Sequence, residues 1–197
     1  MTDNSSKIIL DLCGGTGAWS RPYKEAGYDV RLITLPEQDI RYYHPPKRVY
    51  GILAAPPCTH FSSSGAQFWM FKDADNRTID SMGIVIACLR IIAMTRPVFW
   101  ALENPVGKLS RWLNRSQLLF NPCDYGDAYT KKTCLWGEFN VPEKHPVEPE
   151  FVMSGNYQRA DGTKGKKYSI THMKIKDPTI RSITPPGFAR AFYEANQ

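Results

Sequence analysis

The sequence predicts an α/β fold with a mostly parallel sheet and helices on both faces. Two observations carry this prediction: several short apolar runs rich in β-branched and aromatic residues, and helical segments between them. Such runs, bounded by turn residues, are typical of strands buried on both faces. Their alternation with helices favours a parallel sheet. With 197 residues, 42% of them hydrophobic, the chain can bury one sizeable core.

The first half of the chain supplies three strands and two helices. The strands are predicted from apolar runs at residues 7–12, 28–35 and 49–54. Glycines at positions 14, 15 and 17 give a turn after the first strand, and a helix can follow as far as residue 26. A second helix is predicted over residues 79–94, where Pro97 stops it.

The second half continues the pattern up to an insert. We expect strands at residues 98–102 and 132–137, and a short helix at 106–113. Pro185 and Pro186 predict a turn into a terminal helix. Between residues 138 and 181 the composition shifts to proline, glycine and lysine, which indicates a small irregular insert. The predicted main domain is therefore formed by residues 1–137 and 182–197.

The charge of the chain points to an anionic partner. The formal net charge is +6 and the isoelectric point is near 9.1, which favours nucleic acid as the partner. Within the insert, a basic cluster faces only Asp161; it consists of Arg159, Lys164, Lys166, Lys167, Lys174 and Lys176. A solvated, mobile hairpin would have the same composition, so this alternative stays open.

Several classes of protein are disfavoured by the sequence. No stretch approaches the roughly 20 apolar residues of a membrane span, and the first residues lack the pattern of a secretion signal, so we expect a cytoplasmic protein. The five cysteines form no CxxC pair and are odd in number. Neither a metal site nor a disulfide framework is therefore expected.

Cys58 is the residue with the clearest chemical potential. It follows Pro56 and Pro57 at the end of the third strand, and two prolines make the turn that presents the thiol stiff. An inert, half-buried cysteine would fit the same position. Parallel strands, however, place their carboxyl ends at one edge of the sheet. We therefore expect the glycine turn, Cys58 and the pair Glu103-Asn104 to share one cleft.

In the order and spacing of its motifs, the chain resembles the DNA cytosine-C5 methyltransferase family. The segment Asp11-Leu12-Cys13-Gly14-Gly15-Thr16-Gly17 resembles the first cofactor motif, and Asp39-Ile40 resembles the pair that contacts the adenine. Pro57-Cys58 with Phe61, Ser62 and Gly65 resembles the catalytic loop. Glu103-Asn104-Pro105, Tyr125-Gly126 and the helix after Pro186 match later motifs.

The resemblance implies a class I methyltransferase fold, Rossmann-like, that uses S-adenosylmethionine and releases S-adenosylhomocysteine. Cys58 would add to C6 of cytosine, Glu103 would protonate the ring at N3, and Asn104 would orient Glu103. His60 and Arg90 are candidates for lowering the pKa of the thiol. The substrate would be a base flipped out of double-stranded DNA, bound with the help of Ser62, Lys131 and Thr133. A monomer is expected.

The sequence departs from the family at three places. Thr59 and Pro105 replace the usual Gln and Val, and Lys131-Lys132-Thr133 lacks the two arginines of the base-contacting motif. Glu37 is the candidate for binding the ribose of the cofactor. The insert at 138–181 is short for a target-recognition domain, which predicts loose or short sequence specificity.

Other functions remain open. The same chemistry on RNA or on a free cytosine nucleotide fits a reduced recognition region. A non-catalytic protein that binds cofactor or nucleic acid fits the missing arginines. An amino-group methyltransferase is disfavoured, because Ala55 and Cys58 replace the defining positions of its Asx-Pro-Pro-aromatic loop.

Overall fold

A six-stranded sheet with the order β2-β1-β3-β4-β7-β5 forms the centre of the molecule. The computed structural model describes residues 3–154, 171–174 and 177–197. The strands of this sheet are β1 (Ile8–Leu12), β2 (Asp29–Ile33), β3 (Gly51–Ala54), β4 (Phe99–Pro105), β5 (Leu118–Phe120) and β7 (Thr133–Glu138). Strands β1 to β4 run parallel, and β7 is antiparallel to both β4 and β5. The predicted α/β fold with a mostly parallel sheet is confirmed.

Helices cover both faces of the sheet. They are α1 (Arg21–Glu25), α2 (Trp69–Ala74), α3 (Arg77–Thr95), α4 (Ser110–Leu113), α5 (Pro178–Ser182) and α6 (Pro186–Ala195). Successive strand residues point to opposite faces. Leu10 therefore joins the core cluster that contains the buried residues of α3, whereas Ile9 joins the one that contains α6. Burial on both faces explains why β1, β3 and the start of β4 are almost continuously apolar in sequence.

Most predicted elements are present, with shifted ends. The long helix spans Arg77–Thr95 and the terminal helix Pro186–Ala195, close to prediction, but α1 has only five residues. The predicted strand at 98–102 is longer, because β7 pairs with β4 as far as Pro105. Glu103 and Asn104 therefore lie inside a strand and not in the loop after it. Strand β5 was not predicted, because a strand of three residues is too short to show the alternation of apolar and polar side chains.

The insert is less irregular than predicted. A second sheet has the order β6-β8-β9, in which β6 (Tyr129–Thr130) lies just before Lys131. Strands β8 (Phe151–Ser154) and β9 (Thr171–Lys174) come from the insert and pair in parallel. Most of the basic cluster, including Lys164 and Lys167, lies outside the described residues. The prediction that this cluster faces an anionic partner therefore also falls on residues outside the described part of the chain.

Helix α3 also has the length and apolar character of a membrane span. Its most apolar window has a mean hydropathy of 1.7, and within the part of the chain that the structure describes no second helix meets this criterion. Length and composition are weak evidence, because core helices share them. Val85, Cys88 and Ile91 of α3 are fully buried in the core cluster on one face of the sheet. This packing accounts for part of the apolar composition of α3, of whose most apolar window 39% is buried.

Candidate active site

The carboxyl ends of β1, β3 and β4 lie at the same level of the sheet. Leu12 pairs with Ala54, and Ala54 pairs with Leu102. The residues just after these positions, whether they leave the sheet or continue as a strand, are therefore neighbours. They are the glycine turn after β1, the Cys58 loop after β3 and the Glu103-Asn104 segment of β4. The sheet thus brings together the three motifs that the sequence predicted to share a cleft.

Asn104 fixes the entry to the Cys58 loop. Its side chain is fully buried, and Nδ2 donates a hydrogen bond of 2.9 Å to the carbonyl oxygen of Pro56. A buried amide of this kind is costly to replace, since the loss of one partner leaves the other unsatisfied. The predicted role of Asn104 was to orient Glu103. Its hydrogen bond instead ties strand β4 to the loop that carries the thiol.

The exit of the Cys58 loop is tied down as well. The backbone N–H groups of Phe61 and Ser62 donate to the Cys58 carbonyl at 2.9 and 3.0 Å, and the Lys108 N–H donates to the Phe61 carbonyl at 2.8 Å. Gly107 allows this close approach, because a Cβ there would lie 2.0 Å from the Phe61 carbonyl oxygen. Ser62 is half-buried, and its Oγ lies 2.9 Å from that of Ser64.

Glu103 lies close enough to Cys58 to affect the protonation of its thiol. Burial raises the pKa of the Cys58 thiol, and the charge of Glu103 raises it further, while Lys131 and Arg181 act in the opposite direction. Burial also raises the pKa of the Glu103 carboxyl, again opposed by Lys131. A protonated Glu103 no longer disfavours the thiolate of Cys58.

Lys131 and Thr133 stand beside this pair. Thr133 opens β7 and pairs with Pro105, and its Oγ donates to the Lys131 carbonyl at 2.9 Å. Lys131 in turn donates through Nζ to the carbonyl oxygen of Arg181 at 2.7 Å. Arg181 was missed in the sequence, because it lies 50 residues from Lys131 in no motif.

The two helpers proposed for the thiol are not among the main groups that act on its pKa. Arg90 donates to the carbonyl oxygens of Ile40 and Tyr43 at 3.3 and 2.9 Å, which fixes its guanidinium against the loop after β2. The cations that lower the pKa of Cys58 most are Lys131 and Arg181. A role for His60 or Arg90 at the thiol stays a prediction.

Asp11 forms the floor of the glycine turn. Its carboxyl is fully buried, and burial raises its pKa to about 6, although Ser20 donates to Oδ2 at 2.5 Å. Oδ1 is buried without a hydrogen-bond partner among the described residues. A Cβ at Gly14 would lie 2.1 Å from this oxygen, so glycine is needed there. Because Gly14 carries no side chain, the buried Oδ1 of Asp11 can lie directly beneath the backbone of the turn.

The rest of the predicted cofactor set is spread around this turn. Gly15 and Gly17 have positive φ angles of 55° and 68°, which favour glycine, and Thr16 is exposed between them. Cys13, half-buried, also has a positive φ, and a hydrogen bond with the Cys88 thiol lowers its pKa.

Asp39 and Ile40 differ in their exposure. The charge of Asp39 acts on Cys13, which places it near the turn, and its hydrogen bonds with Arg41 lower the pKa of Asp39 to about 2. Ile40 is buried in the core cluster that also contains the buried residues of α3. Pro57 is exposed before the thiol, and Glu37 is exposed in a cleft of about 650 Å³ beside β2.

The structure holds no cluster of three or more His, Cys, Asp or Glu side chains suited to a metal ion in the residues that it describes. Comparisons with known proteins add little to this geometry. No family model matches the sequence, and no curated protein does.

Among solved structures, the chain is similar to a "putative DNA modification methyltransferase" encoded within a prophage of E. coli. The two share 16% sequence identity with a TM-score of 0.49. The match covers 76% of this chain and 53% of the other, so the chain spans about half the length of that protein.

Proposed function

We propose that this protein transfers a methyl group from S-adenosylmethionine to C5 of cytosine in DNA, through a transient covalent bond between Cys58 and C6 of the base. One observation carries the proposal above all others. The half-buried Cys58 in the loop after β3 and Glu103 on the neighbouring strand β4 lie close enough for the charge of Glu103 to raise the pKa of the thiol, at the strand ends that also carry the glycine turn. The resemblance in motif order supports the same chemistry.

The reaction needs a nucleophile and an acid that lie close together. Cytosine C5 is a weak nucleophile until a thiolate adds to C6 and moves the electrons of the C5–C6 bond toward N3. A protonated Glu103 donates to N3 and stabilises the charge that develops there. Once C5 is methylated, loss of the C5 proton to a base restores the double bond and expels the Cys58 thiolate. Burial of Glu103 favours the protonated form that this scheme requires.

The residues at the glycine turn fit the proposed cofactor, which supplies an electrophilic methyl group when bound. The unpartnered Oδ1 of Asp11 is a suitable acceptor for the ammonium group of its methionine part. Gly14, Gly15 and Gly17 let the backbone approach the ligand, with Cys13, Thr16 and Pro57 at the border. Asp39 is the proposed adenine contact, and Ile40 supports it from the core.

Ser62, Lys131 and Thr133 are the proposed substrate contacts. All three flank Cys58 or Glu103 in the fold: Ser62 follows the thiol loop, and the other two border strand β7 beside β4. The net positive charge supports a nucleic acid substrate, with phosphate contacts from the insert at 138–181. A base within a duplex must be flipped out before Cys58 can reach C6.

Methyl transfer from labelled S-adenosylmethionine to cytosine-containing DNA tests the proposal. We expect incorporation by the wild type, a covalent adduct with DNA that contains 5-fluorocytosine, and loss of both in Cys58→Ser. Cys123 supplies a matched control, because it too is a half-buried cysteine that follows a proline. Cys123→Ser should retain transfer and adduct.

The same assay separates the alternatives. Transfer to RNA or to free cytosine nucleotide in place of DNA would change the substrate and keep the chemistry. Binding of DNA or cofactor that is equal in the wild type and Cys58→Ser, with no transfer to any of these substrates, would contradict the proposal and identify a binding protein.

A further inference from the structure

Helix α2 buries a lysine and exposes its apolar side chains. All six residues of α2 are described, and Lys72 is the only buried one among them, with 9% of its surface exposed. Met70 and Phe71 are 76% and 62% exposed. A surface helix normally turns its apolar side toward the core, and lysine is almost never buried without a partner. The orientation of α2 therefore calls for a polar contact that holds Lys72 inside.

That contact is the backbone directly after Cys58. Lys72 Nζ donates a hydrogen bond of 2.7 Å to the carbonyl oxygen of Thr59. The ammonium group also lies beside Gly65, where a Cβ would be 3.4 Å from Nζ. A hydrogen bond from a charged donor is shorter and stronger than one between neutral groups. Lys72 thus fixes the peptide group that follows the residue carrying the thiol.

The next residue of α2 is connected to the same loop by a second path. Asp73 forms an ion pair with Lys108, whose buried side chain also donates to Thr78 Oγ at 2.9 Å. The backbone N–H of Lys108 in turn holds the Phe61 carbonyl. Two adjacent side chains of α2 are therefore linked to the carbonyl groups of Thr59 and Phe61. This explains why the charged side of the helix faces inward.

We propose that Lys72 is a positioning residue for Cys58. Asn104 binds the carbonyl oxygen of Pro56, two residues before the thiol, and Lys72 binds that of Thr59, one residue after it. With both side chains in place, Cys58 lies between two fixed carbonyl groups. The importance of Lys72 for methyl transfer rests on the function proposed above, whereas its effect on the loop does not.

Hydrogen–deuterium exchange of the loop amides tests the proposal without any substrate. Lys72→Met keeps most of the buried side chain and removes the donor. The N–H groups of Phe61 and Ser62, which donate to the Cys58 carbonyl, should then exchange about tenfold faster. The free energy of unfolding should not fall, because an apolar group replaces a buried ammonium group. Faster exchange in the loop of an equally stable protein is not expected from a merely structural lysine.

Methyl transfer supplies a second measurement. Lys72→Met should lower kcat by about 10- to 100-fold and leave the KM for S-adenosylmethionine unchanged, because a displaced nucleophile slows the chemical step while the glycine turn stays intact. Lys24→Met is the matched control, since Lys24 is an exposed lysine on the short helix α1. It should change neither the exchange of the loop amides nor the transfer.

Unchanged exchange at Phe61 and Ser62 in folded Lys72→Met would overturn the proposal. Faster exchange throughout the chain, together with reduced stability, would overturn it as well, because it would show a general structural role. If Lys72→Met does not fold, Lys72→Gln decides by the same measurement, since its amide nitrogen ends one bond short of the lysine Nζ. Failure of both variants to fold would also show a general structural role.

The two measurements separate this proposal from the proposed function. Faster loop exchange in Lys72→Met, in a protein whose wild type transfers no methyl group, would refute the proposed function and leave the role of Lys72 intact. Transfer by the wild type with unchanged loop exchange in Lys72→Met would do the reverse.

Discussion

At the scale of single residues, the site is governed by where protons reside. Burial keeps protons on Cys58, Glu103 and Asp11 to a higher pH than in water, because the charged forms lose hydration. For Cys58, the charge of Glu103 strengthens this effect. The proposed methyl transfer at neutral pH therefore depends on groups that favour the thiolate of Cys58 and on a Glu103 carboxyl that stays protonated.

Replacing Glu103 by Gln should make the thiol more reactive and the enzyme less active. Glutamine carries no charge at any pH, so the pKa of Cys58 should fall and its alkylation at pH 7 should accelerate. The loss of the acid that serves N3 should lower methyl transfer by about 10²- to 10⁴-fold. Alkylation and transfer are measured on the same preparation. Parallel losses of both would contradict the assigned roles.

The buried carboxyl of Asp11 should make stability depend on pH. The pKa of Asp11 is about 6 in the fold against 3.8 for a free aspartate side chain, so the folded state binds the proton more tightly. The stability that this proton provides is complete below about pH 4 and is lost as the pH rises to about 6, a change of about 3 kcal/mol. Urea unfolding of the wild type and Asp11→Asn across this range should show the difference, and a constant difference would contradict it.

At the scale of elements, the Cys58 loop is a braced segment between two neighbours. Asn104 holds its entry, and the backbone next to Gly107 holds its exit. Strand β4 continues past the apolar run at residues 98–102, so the polar residues Glu103 and Asn104 are part of the strand. The hydrogen bond from Asn104 to the loop depends on this extension. The loop is thereby attached to the same strand that carries the acid.

Adding one methyl group at Gly107 should disturb this brace. The Cβ of Gly107→Ala would meet the backbone of Phe61, which cannot rotate away, and we expect a loss of about 1–3 kcal/mol in the free energy of unfolding together with reduced transfer. Gly83→Ala on α3 is the matched control, because a Cβ there meets no atom within 4 Å. It should be neutral or stabilising by up to about 1 kcal/mol. Equal effects of the two changes would contradict the bracing role.

Part of this arrangement was predictable from the sequence. Apolar runs predicted the strands β1, β3 and β4, and their ends predicted which motifs meet. The hydrogen bonds of Asn104 and Lys131 were not predictable, because each ends on a backbone carbonyl supplied by a distant segment. Such an acceptor is present at every position and leaves no trace in the residue type. The burial of Ile40 was not predictable either, because its neighbours in sequence, Asp39 and Arg41, are polar.

At the scale of the whole molecule, the terminal helix closes one face of the sheet. Phe192 is fully buried in α6, and its ring lies 5.5 Å from that of Trp19 and 6.1 Å from that of Phe99. Tyr23 adds a hydrogen bond of 3.2 Å from its hydroxyl to the Asn196 carbonyl. The last residues of the chain thus hold the helix that follows the glycine turn.

Removing the Phe192 ring should therefore weaken the whole fold. Phe192→Ala leaves a cavity among aromatic side chains, and we expect a loss of about 3–5 kcal/mol in the free energy of unfolding. Phe71→Ala removes the same ring from a side chain that is 62% exposed, and it should change stability by less than about 0.5 kcal/mol. Urea denaturation of both variants measures these changes in the free energy of unfolding. Similar losses in the two variants would contradict the role of Phe192 in the core.

The position of β7 between β4 and β5 also has a consequence for synthesis on the ribosome. Strand β4 leaves the ribosome before β7, whose residues are made about 30 positions later. While the chain grows, the thiol loop can already dock on β1 and β3, but Glu103 still lies on an open edge of the sheet. The acid side of the site therefore acquires its hydrogen-bonded neighbours only when translation has passed residue 138.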